Sequence, residues 1–281
     1  MAGYIAAVSG GVDSVVLLDM LVRANHEVVV AHVEHGMRDD SLDDARFVRA
    51  LAEGYGCIYE EKSLNLGAGA SEQKAREARY KFLFDLAKKH QAVIVTAHHG
   101  DDLAETVAIN LTRGTGWRGL AVLNRQGIYR PLLSYSKNDL YEYAIKNHLE
   151  WVEDKTNSDH RYLRNRIRSR LRPRLTWHNR QALANLRDRQ VALNKEIMME
   201  SKALLSQNNN LRYLITNVDM ALGVELLGEV IVSATGVKPQ RPQLERALIA
   251  VKTAKTGAAH HVGDKIMLRF TIRDFSVEVL Q

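Results

Sequence analysis

Two hydrophobic periods alternate along the first half of the chain. Short apolar runs at residues 4–8, 28–33 and 92–97 read as buried strands, and a more charged run at 57–62 reads as a weaker one. A fifth strand is expected at 128–132. Between these runs, apolar residues recur at helical spacing over 14–24, 41–54, 71–89, 101–111 and 136–147. Ser41, Ser71 and Ser136 stand where caps belong, and Asp43 and Asp44 occupy a first turn. Strand–helix alternation predicts an α/β fold, a doubly wound, mostly parallel sheet with helices on both faces. Ligands bind such sheets beyond the carboxyl ends of the strands. That rule brings "SGGVDS", "HVEHGMR" and "HHGDD", which follow three different strands, to one rim.

After residue 156 the pattern changes. Residues 161–174 read "RYLRNRIRSRLRPR", and a long helical pattern then runs toward residue 205. A polar stretch at 206–210 reads as a linker. Beyond it lie helical patterns at 223–233 and 242–253, then an alternating tail that predicts a β-hairpin turning near Arg273 and Asp274. The expected organisation is a core domain over 1–186 and a smaller α+β domain over 187–281. The long helix leaves two arrangements open, packing within one chain or pairing two copies as a homodimer.

Composition narrows the function classes. The 281 residues carry a net charge of +6, which suits a polyanionic partner. A single cysteine, Cys57, argues against a disulfide framework, a cysteine-ligated zinc or an iron–sulfur cluster held by one chain. The apolar stretch 15–22 contains Asp19 and is too short to span a bilayer. No basic leader precedes the first strand, so a cytoplasmic protein without a membrane partner is expected.

The chemistry concentrates in the clusters. Adjacent Gly10 and Gly11 allow a sharp turn that aims backbone N–H groups at one anion, beside the dipole of the following helix. Ser9 and Ser14 add hydroxyl donors, while Asp13 would repel phosphate unless it held magnesium or oriented a partner. A plain glycine turn is the bland alternative. The loop lacks the lysine that assists γ-phosphoryl transfer in the G-x-x-x-x-G-K-[ST] loop. A loop without it fits cleavage between the α and β phosphates, with pyrophosphate leaving intact. In "TAHHGDDLAET", two histidines and two aspartates could hold a divalent metal, or Asp101 and Asp102 could simply favour a helix N-terminus. A metal-dependent phosphoesterase would use such a cluster too, but has no need of a pyrophosphate loop. A binding module that turns nothing over is the third class. His32 alone reads as a buried, hydrogen-bonded histidine, and Arg76 and Arg79 alone as a solvated face. Arg161, Arg164, Arg168 and Arg172 follow helical spacing without acidic residues among them, which favours phosphate-backbone contact.

In order and approximate spacing, "SGGVDS", "AHVEHGMR", "EARY", "AHHGDDLAET", "RGTGWRGL", "RPLL" and "EDKTNSDHRYLRNRIR" resemble the tRNA(Ile)-lysidine synthetase family of N-type ATP pyrophosphatases. The resemblance spans residues 9 to about 173. Glu34, Met37 and Leu103 depart from the usual asparagine, leucine and glutamine. The resemblance implies adenylation of the wobble cytidine in a CAU-anticodon isoleucine tRNA, followed by attack of free L-lysine and release of AMP. It implies ATP on Ser9, Gly10, Gly11, Val12, Asp13, Ser14, His32 and His35, with Mg2+ on Asp13 and Asp101. Asp102 and Glu105 would hold the ammonium of the lysine substrate, completing a catalytic set with Asp13 and Asp101. Arg76 and Arg79 would meet phosphate or the lysine carboxylate. Arg113, Arg118, Arg161, Arg164, Asn165, Arg166 and Arg168 would contact tRNA, and Trp117 would stack on a base or join the core.

Overall fold

The computed structural model describes residues 3–34, 41–64, 72–114, 116–153, 163–207 and 211–280. Its first part alternates β1 (Tyr4–Ala7), α1 (Val12–Arg23), β2 (Val28–Glu34), α2 (Ser41–Gly54), β3 (Ile58–Ser63), α3 (Glu72–His90), β4 (Val93–Val95), α4 (Gly100–Thr112), β5 (Ile128–Tyr129) and α5 (Lys137–Lys146). The strands form one sheet in the order β3-β2-β1-β4-β5, and every pair is parallel. Alternate residues of each strand face opposite layers. Ala6, Val30 and Val95 pack with α1, α2 and α5, while Ile5, Val29 and Ile94 pack with α3. Burial on both faces explains why these strands read as unbroken apolar runs, and it gives the expected doubly wound α/β layers.

Two strands are shorter than the sequence suggests. Thr96 N still donates to Tyr129 O, but β4 ends at Val95 as the chain turns toward the cap of α4. At β5, Pro131 brings no N–H to a ladder and opens a 3-10 turn, Pro131–Ser134. α1 begins at Val12 rather than Ser14, with extended Gly11 as its N-cap.

The arginine run forms α6 (Leu163–Leu171) and a 3-10 turn (Arg172–Arg174), followed by α7 (Trp177–Ser206). The chain divides into two compact units, Met1–Val191 and Ala192–Gln281, so the division falls inside α7. The second unit holds α8 (Leu211–Thr216), α9 (Met220–Thr235), α10 (Arg241–Thr253) and an antiparallel sheet of β6 (Ala259–His261), β7 (Ile266–Phe270) and β8 (Phe275–Val279). Its own core gathers Leu226, Leu227, Ile231, Leu248, Leu268 and Phe270, all buried. The predicted hairpin is β7–β8, closed by Thr271 N donating to Asp274 O. β6 and α8 have no counterpart among the sequence expectations; each is too short to show a period.

Candidate active site

The turn after β1 is held by its own side chains. Ser9 N donates to Ser14 Oγ at 3.2 Å, and Ser14 Oγ donates to Gly11 O at 2.8 Å. Gly10 sits at φ +90°, a conformation that disfavours any side chain. No side chain caps α1 among the described residues, which leaves its first amides for an anion. Below the turn, buried His32 places Nδ1 2.9 Å from Val8 O and so ties β2 to β1. That is the bland reading of His32, and it puts the ring at the base of the turn.

Three helix N-termini meet beside this turn. α1 contributes Asp13, α4 contributes Asp101 and Asp102, and α5 contributes Lys137. Lys137 Nζ lies 2.7 Å from Asp13 Oδ1, and Lys137 N donates to Asp101 Oδ2 at 3.3 Å. His99 is the N-cap of α4: Asp101 N donates to its Nδ1 at 3.2 Å, and His99 N donates to Asp102 Oδ2 at 3.1 Å. The capping reading therefore holds for Asp102, with His99 as its reciprocal partner. His99 Nε2 also stands 3.8 Å from Asp13 Oδ2. Thr96 Oγ1 fixes the other histidine, His98, at 2.9 Å.

Asp101 and Glu105 are both buried on α4, and each faces a guanidinium from far along the chain. Arg180 Nε donates to Asp101 Oδ1 at 2.6 Å. Arg168 grips Glu105 through Nε at 2.5 Å and Nη2 at 3.2 Å. Burial works against the Arg168 charge, but Glu105, assisted by Asp102 and Asp13, raises its pKa above the ordinary value. Glu105, expected to meet a lysine substrate, and Arg168, expected to meet tRNA, thus meet each other.

A second basic group surrounds buried Tyr80. The guanidinium carbons of Arg76, Arg79 and Arg125 lie 5.2, 5.6 and 4.1 Å from its ring centroid. Arg130 is buried nearby, and burial lowers its pKa. Arg118 stacks on Trp117 at 4.8 Å, Trp117 is half-buried, and Arg113 is the C-cap of α4. Arg166 is exposed on α6. Arg164 and Asn165 lie on α6 with their side chains outside the described residues, as are His35 and Arg161 altogether.

The arrangement also bears on magnesium. Among the described residues, no three histidine, cysteine or carboxylate groups gather as a metal site. Both oxygens of Asp101 are engaged by Arg180 and the Lys137 amide, so Asp101 does not fit as a ligand in this arrangement. Asp13 is part-exposed, and its Oδ2 fits the one carboxylate that magnesium needs beside nucleotide phosphates.

Sequence reasoning did not single out Lys137, Arg180 or Arg125, and met Arg130 only within "RPLL". Lys137 carried a signal: a cation in the first turn opposes the helix dipole, so it needs a reason to be there. Arg180 and Arg125 carried none, because their partners, Asp101 and Tyr80, lie far away in sequence.

The model of the PP-loop domain family matches residues 2–175. The chain belongs to this family. PP-loop relatives include the tRNA(Ile)-lysidine synthase of Exiguobacterium sibiricum, 41% identical over 177 residues, covering 61% of this chain and 43% of the relative. The synthase of Thermosipho africanus is also 41% identical, over 60% of this chain and 43% of its own. That of Pseudomonas aeruginosa is 38% identical, over 66% and 44%. The chain therefore spans less than half the length of these curated relatives. Among solved structures, the U34-tRNA thiolase of Methanococcus maripaludis shares the PP-loop fold at TM-score 0.58 and 18% identity, over 68% of this chain and 72% of its own. No described helix is long and apolar enough to cross a membrane.

Proposed function

We propose that the protein ligates free L-lysine to C2 of the wobble cytidine in a CAU-anticodon isoleucine tRNA. In the first step the cytosine O2 bonds to the α phosphorus of ATP, and the bond to the β-phosphate breaks to release pyrophosphate. In the second, the lysine ε-ammonium gives its proton to solvent, the amine nitrogen bonds to C2, and the C2–O2 bond breaks so that AMP departs with that oxygen. The observation that carries this reading is the junction of the Ser9–Ser14 turn with the α4 carboxylates through Asp13, Lys137 and Asp101. A pyrophosphate holder and an acidic rim stand side by side, as the two steps require. Similarity to lysidine synthases over 61% and 60% of the chain supports it.

Within this reading, the Ser9–Ser14 turn and the N-terminus of α1 hold the phosphates against developing charge. Asp13 would hold magnesium, which when bound would supply further charge neutralisation. Asp102 receives the ammonium of lysine while Glu105 holds Arg168, and Arg76 and Arg79 meet the lysine carboxylate or a phosphate. Arg113, Arg118 and the exposed face of α6 meet the tRNA backbone, and the second unit adds tRNA contact. Such an enzyme works where tRNA is, in the cytoplasm.

The test mixes protein, ATP, magnesium, labelled lysine and a CAU-anticodon isoleucine tRNA transcript, beside a transcript with uridine at the wobble position. Label on the cytidine transcript alone, matched by AMP release, is expected. Pyrophosphate release without label would keep an adenylating enzyme but change the nucleophile. No ATP turnover would remove the reading altogether.

A further inference from the structure

We propose that Lys137, at the start of α5, is the phosphate-binding lysine that the PP-loop itself lacks. The inference rests on the ATP-dependent reading above and assigns a catalytic contact to a residue outside its motifs.

The position of Lys137 is hard to explain by folding alone. α5 is already capped by the reciprocal pair Ser136 and Asp139: Asp139 N donates to Ser136 Oγ at 3.1 Å, and Ser136 N donates to Asp139 Oδ2 at 2.6 Å. The first turn needs no further side chain, and a cation there faces the positive end of the helix dipole. Lys137 Nζ lies 5.0 Å from the centroid of the Tyr141 ring and reaches the loop, 2.7 Å from Asp13 Oδ1. Lys137 is 16% exposed and Asp13 30%, so a ligand entering the loop reaches both.

Charge supplies the reason. Asp13 stands in the first turn of α1, where the loop must accept a polyphosphate of the same sign. Magnesium on Asp13 Oδ2 would offset part of that repulsion, and the other oxygen, Oδ1, needs a cation of its own. Lys137 Nζ lies on Oδ1 at the mouth of the loop, where it can exchange that oxygen for β- and γ-phosphate oxygens. The ammonium keeps its three protons throughout. When the bond from the α phosphorus to the β-phosphate breaks, the electron pair stays on pyrophosphate, and Lys137 meets that charge as the P-loop lysine meets the β and γ phosphates elsewhere. The lysine is thus supplied across 124 residues of sequence instead of from the loop.

Equilibrium titration of the full chain with ATP and separately with AMP tests this, because AMP lacks the phosphates that Lys137 would touch. Lys137→Met is expected to weaken ATP binding about 10- to 100-fold, as for loss of a charge-assisted hydrogen bond, with AMP affinity held within about twofold. Lys137→Arg should retain most of the preference for ATP. Equal losses of ATP and AMP in Lys137→Met and Lys137→Gln, or no loss, would overturn the assignment. So would a wild type that binds ATP no more tightly than AMP. The titration needs neither tRNA nor lysine. A wild type that shows the ATP preference yet makes no lysidine would therefore sink the proposed reaction and leave Lys137 standing.

Discussion

Gly10 shows how one residue decides whether the phosphate turn exists. At φ +90° an added Cβ would find 3.4 Å to Val48 Cγ2 and 3.5 Å to Phe47 Cδ1, so space is not the obstacle. The obstacle is backbone conformation, which costs an L-residue about 1–2 kcal/mol in the left-handed region. Gly10→Ala should therefore lower stability by about that amount, read by urea unfolding, and weaken ATP binding more than Gly11→Ala. At Gly11 a Cβ would meet only Ser9 Oγ, at 3.7 Å. Asp19 makes a different argument at the same scale. It is buried on α1 and accepts hydrogen bonds from Tyr55 at 2.7 Å, Tyr143 at 2.8 Å and Arg23 at 2.8 Å. Burial alone would raise its pKa, but these partners hold it below the ordinary 3.8. The stability it contributes is fully present above that ordinary value and is lost as pH falls through the lower folded value. Asp19→Asn should flatten the acid limb of a stability–pH curve, as urea midpoints between neutral and acid pH would report.

At the scale of elements, α4 shows carboxylates legible in the sequence and partners that were not. Asp101 and Glu105 are one turn apart and buried, and their guanidinium partners lie 79 and 63 residues away. The strand–helix alternation of the sheet was legible because its period is local and its strands are buried on both faces. The pairing across α4 was not, since no local pattern joins Glu105 to Arg168. The arginine run was legible as charge but not as two classes of arginine. Glu105→Gln should cost about 2–4 kcal/mol, toward the low end of the range for broken buried pairs because Arg168 is about a quarter exposed. In a cycle of Glu105→Gln, Arg168→Gln and the double variant, the double should be less destabilised than the sum of the singles. Strict additivity would show that the pair contributes no coupling. Pro131 explains the shortened β5 in the same physical terms, since a residue without N–H was present in a stretch read as strand.

At the largest scale, among the described residues, the clusters on the two faces of the parallel sheet share no residue with the core that packs α9 and α10 on the small antiparallel sheet. The net charge of +6 is not spread evenly over the chain, because 161–174 concentrates arginines without a single acidic residue. If that segment meets tRNA, as proposed, its arginines divide by what already holds them. Arg168 is bound to Glu105, whereas Arg166 and Arg170 are exposed on α6. An arginine that neutralises a phosphate releases counterions, so each such contact steepens the fall of affinity with salt. Replacing Arg166 and Arg170 together by Gln should lower the slope of log affinity against log salt by roughly one per residue, with little change in thermal stability. Arg168→Gln should do the reverse, lowering stability and barely moving the slope. Filter binding of the CAU-anticodon transcript at a series of potassium chloride concentrations measures all three proteins. An unchanged slope in the Arg166 and Arg170 variant would move the tRNA backbone off α6, and the excess positive charge there would need another partner.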